Sequence, residues 1–367
     1  MSSSFGRVFT LTTYGESHGA GIGGVVDGCP PGLKLDEAVI QRELDRRRPG
    51  SAGIAGTSRC ESDAVRLLSG VFGGVTTGTP IAFHIANENQ RSGDYAGLAE
   101  IWRPGHADMG YDIKYGLRDY RGGGRSSGRE TAARVAGGAI AQVLLAARGI
   151  SVSACAVELG GVSASEYGAP EPFGAEERPY AAICEEVIPV WERLTAETRS
   201  AGDTLGGVVR VEARGVPAGL GEPVFDKLDA VLAHAVMSVG AVKSVEIGSG
   251  REAARMRGSE HNDPFLPPEE DGLPPRMASN HAGGILGGIS TGAPIILHCA
   301  VKPIPSISLP QKSVKRHGEA VEFRVGGRHD ICAIPRVVPV LKAMTALTIA
   351  DMLLRQCRMH VVPGGTA

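Results

Sequence analysis

Two stretches of this chain repeat one another at long range. GVTTGTPIAFHIA (74–86) and GISTGAPIILHCA (288–300) share the frame G-x-x-T-G-x-P-I-x-x-H-x-A. A second pair runs in the same order: GGVVDGCPPGL (23–33) and GGVVRVEARGVPAGL (206–220), with four more residues in the later copy. Each member of that pair precedes an amphipathic helical pattern, marked by Leu35, Ile40 and Leu44 in the first and by Phe225, Leu228, Val231 and Leu232 in the second. Repetition in one order predicts a single domain over 1–367 with two pseudo-duplicated halves, near 10–150 and 200–357. The period is far too long for a solenoid. Chance similarity of Gly-rich hairpins is the alternative. Residues 165–200 read as a connector, rich at first in Pro, Gly and acidic residues and ending in an exposed helix.

Turn-bounded, β-branched runs predict strands at 23–28, 79–86, 151–159, 206–213 and 293–300. Amphipathic runs predict helices at 35–48, 129–148, 224–238 and 338–356. Strands and helices do not alternate regularly, which disfavours a doubly wound parallel sheet and points to an α+β fold. The helical runs are rich in Ala and Gly, so they should pack closely inside, with sheets outside.

Lys and Arg number 38 against 40 Asp and Glu, a formal net charge of −2. That balance argues against nucleic-acid binding, which draws on a basic excess. Positive charge is instead local. RGGGRSSGRETAARVAGGAIA (121–141) sets three arginines among glycines before a helix. Ser127 to Glu130 fits the capping box S-x-x-E and places the helix start near Gly128, with Gly149 as its stop. Arg125, Ser126 and Ser127 then stand at the positive end of a helix dipole, where an anion is stabilised. A well-capped helix without a ligand fits the same residues. Arg46, Arg47 and Arg48 close another helix, and Arg103 and Arg328 sit in Gly-containing loops. Arginine suits carboxylates and phosphates through bidentate contacts, so a small polyanion is the expected ligand. Part of the 46–48 run also reads as ordinary solvated charge at a helix end.

His18, beside Glu16 and Ser17, and His106, near Asp108, lie in loops and are acid–base candidates. His84 and His298 occupy matching repeat positions and read as structural. No spacing suggests a metal site. GAGIGG (19–24) matches a dinucleotide fingerprint, but a strand and turn follow it where a helix is needed. Seven widely spaced cysteines argue against a disulfide framework. The N-terminal stretch has no signal-peptide core, and no uninterrupted apolar run is long enough for a bilayer. The expected location is the cytoplasm, with no membrane and no nucleic-acid partner.

Read together, GESHG, DGCPPG, DRRRPG, QRSGDY, RPGHAD, YGLRDYRGGGRSSGRETAARVAGGAIA, SNHAGGILGGISTG and GRHDICA resemble the chorismate synthase family, in order and over nearly the whole chain. The resemblance implies a carbon–oxygen lyase of the shikimate pathway. It would convert 5-enolpyruvylshikimate 3-phosphate to chorismate by 1,4-anti elimination of the C3 phosphate and the C6 pro-R hydrogen. It implies reduced FMN without net redox change, an association with NADP, and an external flavin reductase. It also implies a homotetramer with a helical layer between antiparallel sheets. The residues it implies as catalytic are His18 near the leaving phosphate, His106 near the flavin, and Asp330 assisting uptake of the C6 proton. Flavin contacts would come from Arg125, Ser126, Ser127, Gly240, Ala241, Gly287, Lys302, Pro303, Ile304, Pro305, Ser306 and Arg328. Substrate anions would meet Arg47, Arg48, Arg103 and Arg125. The chain departs from the family pattern at Gly53, with Arg59 as a possible substitute, at Gly240 where Asn is frequent, and at KPIPS (302–306) in place of KPTSS. Two further readings stay open: a nicotinamide dehydrogenase using GAGIGG, and a non-catalytic flavin or nucleotide binder.

Overall fold

Three glycines, Gly21, Gly23 and Gly24, let the strand that holds them accept large neighbours. A Cβ on Gly23 would fall 2.4 Å from the Tyr14 hydroxyl, and one on Gly24 2.8 Å from the Phe83 ring. The GAGIGG run is therefore largely strand, with aromatic side chains lying across bare backbone. The computed structural model describes residues 3–48, 55–56, 62–88, 98–268, 275–325 and 329–359. Gly53, Arg59 and Arg328, and the whole QRSGDY motif, lie outside them.

The first unit contains β1 (Ser4–Phe5), β2 (Thr10–Gly15), β3 (Gly21–Asp27), α1 (Glu37–Arg47), β4 (Val65–Leu67), a hairpin of β5 (Val71–Phe72) and β6 (Val75–Thr76), and β7 (Ile81–Ala86). Then come α2 (Asp108–Tyr115) and α3 (Thr131–Ala146). The second unit contains β8 (Ser151–Leu159), β9 (Val162–Ser163), α4 (Ile188–Ser200), β10 (Gly207–Arg214), α5 (Leu228–Met237), β11 (Val242–Ile247), α6 (Gly258–His261), three hairpins and β16 (Ile295–Val301). The hairpins pair β12 (Phe265–Leu266) with β13 (Arg276–Met277), β14 (Ile285–Leu286) with β15 (Ile289–Ser290), and β17 (Gln311–Val314) with β18 (Ala320–Phe323) after β16. Helix α7 (Ile334–Met359) follows.

Both five-stranded sheets are antiparallel, in the orders β1-β2-β3-β7-β4 and β11-β16-β10-β8-β9. Strands β2-β3-β7-β4 of one correspond in pairing to β8-β10-β16-β11 of the other. Alternation sets which faces are buried: Ile81, Phe83 and Ile85 in β7, and Ile295, Leu297, Cys299 and Val301 in β16.

Helix α1 starts as its sequence demands. Asp36 accepts from the Val39 N–H at 2.9 Å, Glu37 lies in the first turn, and Arg46 and Arg47 lie in the last. Helix α3 joins the units through small residues. A Cβ on Gly138 would sit 2.3 Å from the Ala343 Cβ of α7, and one on Gly137 2.8 Å from the Leu11 side chain of β2. Helix α7 also packs on β8 and β10. It is long and apolar enough to cross a membrane, with mean hydropathy 1.7, but 89% of that window is buried within the fold. The apolar-run criterion misses it because Lys342 and Asp351 interrupt the sequence. Lys342 reaches Glu43 at 3.2 Å and Glu176 at 2.8 Å. Asp351 accepts the N–H groups of Arg7, Val8 and Phe9 at 2.9, 2.6 and 3.0 Å.

Three expectations need correction. The capping box does not form: Ser127 accepts from the Arg129 N–H at 3.3 Å, but Glu130 turns to Thr13 and Arg134. A 3-10 turn covers Gly128–Glu130, and the α-helix begins at Thr131. Helix α5 begins at Leu228, leaving Val224 and Phe225 exposed before it. The helix ending the connector, α4, is not wholly exposed, because Trp191 and Thr195 are buried. The six described cysteines are free, and five are buried.

Candidate active site

The glycines before α3 have a steric purpose. Gly122 has φ +67°, and a Cβ there would lie 2.5 Å from Cε1 of His18. The 121–124 loop can thus lie against the imidazole. Ser17 Oγ is 3.2 Å from His18 Nδ1. From the following turn, Arg125 donates to the Gly15 carbonyl at 3.2 Å and to Thr13 Oγ1 at 2.9 Å. These contacts fix the loop to the end of β2.

The turn before α2 supplies the next group. Arg103 makes a two-pronged contact with Asp108, both bonds 2.8 Å, and its backbone N–H adds a third at 3.0 Å. Burial alone pushes the Asp108 carboxyl up, but the Arg103 bonds and charge outweigh it and hold Asp108 below the usual carboxylate range. His106 Nε2 lies 3.0 Å from Ser306 Oγ, while its Nδ1 is buried with no hydrogen-bond partner among the described residues. Burial, then the nearby Arg103 charge, drives its pKa down to about 4 against the pull of Asp108; Lys302 and His329 add to the lowering. His106 is therefore neutral near pH 7.

A cavity of about 1300 Å³ gathers these elements. Among the described residues its lining carries eight Arg and Lys side chains against six carboxylates, although the whole chain is slightly acidic. Most of these arginines are held by a carboxylate. Asp63, almost fully buried, takes Arg47 at 3.2 Å and Arg129 on its other oxygen. Glu130 takes Arg134 at 3.0 Å and stands 4.0 Å from Arg125. Asp330 takes Arg336 at 2.5 Å. Such pairing fixes each guanidinium in place before any ligand arrives.

The whole chain also matches known proteins. Residues 9–354 fit the family model described as chorismate synthase. A curated chorismate synthase of Nitratidesulfovibrio vulgaris (strain Miyazaki F) is 65% identical over 97% of this chain and 99% of its own. One from Syntrophobacter fumaroxidans is 56% identical over 96% and 97%. A solved structure titled "Crystal Structure of Chorismate Synthase" superposes with a TM-score of 0.75 at 32% identity, covering 96% of this chain and 93% of that one. The chain belongs to the chorismate synthase family. Its enzyme class is that of the family, a lyase.

Within this chorismate synthase architecture, the cavity lining includes His18, Arg47, Arg103, His106, Arg125, Ser126, Ser127, Gly240, Ala241, Lys302, Ile304, Pro305, Ser306 and Asp330. Three other expected residues fall elsewhere. Arg48 pairs with Asp45 at 3.2 Å on the surface side of α1. Gly287 lies exposed at the tip of the β14–β15 hairpin, and Pro303 is exposed just outside the lining. Arg47 is only 1% exposed, and each of its guanidinium nitrogens has a protein partner: Thr131, Asp63 and the Gly128 carbonyl. Sequence reasoning passed over Asp63, Arg129, Arg134 and Arg336. The i,i+4 spacing of Glu130 and Arg134 was a usable signal for one pair. Nothing local marks Asp63 as the partner of two distant arginines.

The residues present suit a flavin in two respects. The buried, unpartnered Nδ1 of His106 needs a hydrogen-bond partner. Gly240 borders the cavity with open space where a Cβ would stand, so its lack of a side chain leaves room.

Proposed function

We propose that this chain converts 5-enolpyruvylshikimate 3-phosphate to chorismate and phosphate by 1,4-anti elimination, with reduced FMN, as the shikimate-pathway step of its family. The observation that carries the reading is the shared cavity: His18, Arg103 with His106, Arg125, Lys302 and Asp330 come from five separate stretches and line one cavity. A substrate with two carboxylates and a phosphate needs such a cationic lining. Arg103 and Arg125 hold its anions, with Arg47 and Arg129 behind them. His18 stabilises or protonates the departing phosphate oxygen. When bound, reduced FMN supplies electron density to the reacting ring and takes up the C6 proton. His106 offers a neutral imidazole to that group, Asp330 assists the proton transfer, and the Arg125–Ser127 turn, Gly240, Ala241 and the Lys302–Ser306 segment cradle it. Water displaced from the cavity by the bound ligands strengthens these charges.

The same reading takes the chain as one domain with a helical layer, α3 and α7 at its centre, between two sheets that arose by duplication. Its support is the matching order strand, helix, strand, hairpin, strand in β3-α1-β4-β5/β6-β7 and β10-α5-β11-β14/β15-β16, where β12 and β13 are an insertion. Assembly into a homotetramer in the cytoplasm and reliance on an external flavin reductase complete it. Gly287 and Pro303 then meet flavin only if assembly or ligand binding brings them to it.

The test is phosphate release from the enolpyruvyl substrate with dithionite-reduced FMN. Stoichiometric phosphate and chorismate are expected. Flavin binding with no phosphate release would favour the non-catalytic binder instead.

A further inference from the structure

Ser306 ends a segment that is clamped to the turn holding His106. The Lys302 N–H donates to the Ala241 carbonyl at 2.9 Å, and Lys302 Nζ donates to the Gly105 carbonyl at 2.7 Å. Thr204 Oγ1 donates to the Ile304 carbonyl at 2.7 Å, and Gln311 Nε2 to the Pro305 carbonyl at 3.0 Å. Gly105, with φ +70°, packs so closely on Pro305 that a Cβ there would lie 2.6 Å from the proline ring. Ser306 is thus delivered on fixed backbone, and it is 8% exposed. In the 302–306 segment, KPIPS, Ser306 carries the one hydroxyl.

We propose that Ser306 is a positioning residue that donates its hydroxyl proton to Nε2 of His106 and thereby holds the imidazole as the Nδ1–H tautomer. The contact is 3.0 Å. A hydroxyl hydrogen needs an acceptor, and Nε2 is the partner the structure gives Ser306 Oγ. A neutral ring that accepts at Nε2 carries its proton on Nδ1. The buried Nδ1, which has no partner among the described residues, then presents a donor to whatever occupies the cavity beside it. Neutrality follows from burial and from the charged groups around the ring: Arg103, Lys302 and His329 against Asp108. The inference rests on the reading of His106 as the residue beside the flavin, but the tautomer itself is independent of it.

The experiment uses the full-length chain with FMN bound and histidines labelled with nitrogen-15, at pH 7. A His106→Gln variant assigns the signal. The expected spectrum shows Nδ1 protonated and Nε2 unprotonated. In Ser306→Ala the ring loses this constraint, so the signal moves toward the Nε2–H form. Turnover is expected to fall roughly 10- to 100-fold, by analogy with the loss of the hydrogen-bond partner of a metal-bound imidazole, with KM changed by less than about threefold. Ser306→Thr keeps the hydroxyl and restores the wild-type spectrum. A proton on Nε2 in the parent protein overturns the proposal, as does an unchanged tautomer in Ser306→Ala. Should the parent release no phosphate at all, the proposed function fails while the spectrum still decides the tautomer.

Discussion

The two sheet units share a pairing plan but not a chemistry. His84 in β7 lies opposite Gly23 and Arg66, and its ring stacks near Tyr14, 6.3 Å between centroids. His298, at the matching place in β16, lies opposite Arg210 and Glu246. Buried carboxylates differ in the same way. Asp63 sits between Arg47 and Arg129, and both arginines line the cavity. Glu212 in β10 sits between Arg210 and Arg214, each at 2.6 Å, and neither is in that lining. A scaffold can therefore keep its strand order while its ion pairs are turned either to a ligand site or to structure. The residues proposed for chemistry stand in the segments that join these elements, around 16–18, 103–108, 121–130, 302–306 and 329–330, and not within the paired strands.

The sharpest test of that contrast compares the two carboxylates. Asp63→Ala leaves two nearly buried guanidiniums without their shared counter-ion and is expected to cost about 3–5 kcal/mol, read by urea unfolding, with turnover lost as well. Glu212→Ala is expected to cost less, because Arg214 is half exposed and water can solvate it. Its turnover stays near that of the parent. Equal losses of turnover in both variants would erase the distinction. Next in size, His106→Ala should lower kcat by about 100-fold with substrate still bound, whereas His298→Ala should change kcat by less than about threefold.

A third comparison concerns the two sides of α3. Gly138→Ala drives a methyl into α7 backbone and Ala343, and should destabilise by about 1–3 kcal/mol. Gly137→Ala meets the flexible end of Leu11 and should cost under about 1 kcal/mol. Thermal unfolding of the two variants ranks the joints, and the reverse order would show the helix–helix contact to be the looser one. The smallest expected effect is on pH dependence. His106 and His298 are both pushed down, first by burial and then by an arginine, Arg103 or Arg210. The unfolded chain binds those protons first, so stability falls as pH drops below the ordinary value of 6.5, toward about 4 for His106. A double Gln variant should lose less stability between pH 6.5 and 5 than the parent. An identical pH slope would mean that neither ring contributes.

Much of this molecule can be read from the chain because the features concerned are local or repeated. Strand alternation, the Asp36 cap and the repeated G-x-x-T-G-x-P-I frame declare themselves within a dozen residues. The site residues depended on motifs that resemble a family, and most of those that are described do share one cavity. What could not be read is pairing across distance. Glu130 looks like half of a capping box until Thr13, from β2, and the neighbouring arginines compete for it. Asp63 gives no local sign of its two partners. Arg48 and Arg47 are adjacent in sequence, yet the helix turns one outward and buries the other.

The clasp between Asp351 and the N–H groups of residues 7–9 bears on how the chain reaches this shape. Its partners are separated by 342 to 344 residues. During synthesis the backbone of residues 7–9 waits, unlatched, until residue 351 has been made. Closure of the first unit is therefore a long-range event that ties residues 7–9 to α7, and it follows the synthesis of more than 340 intervening residues.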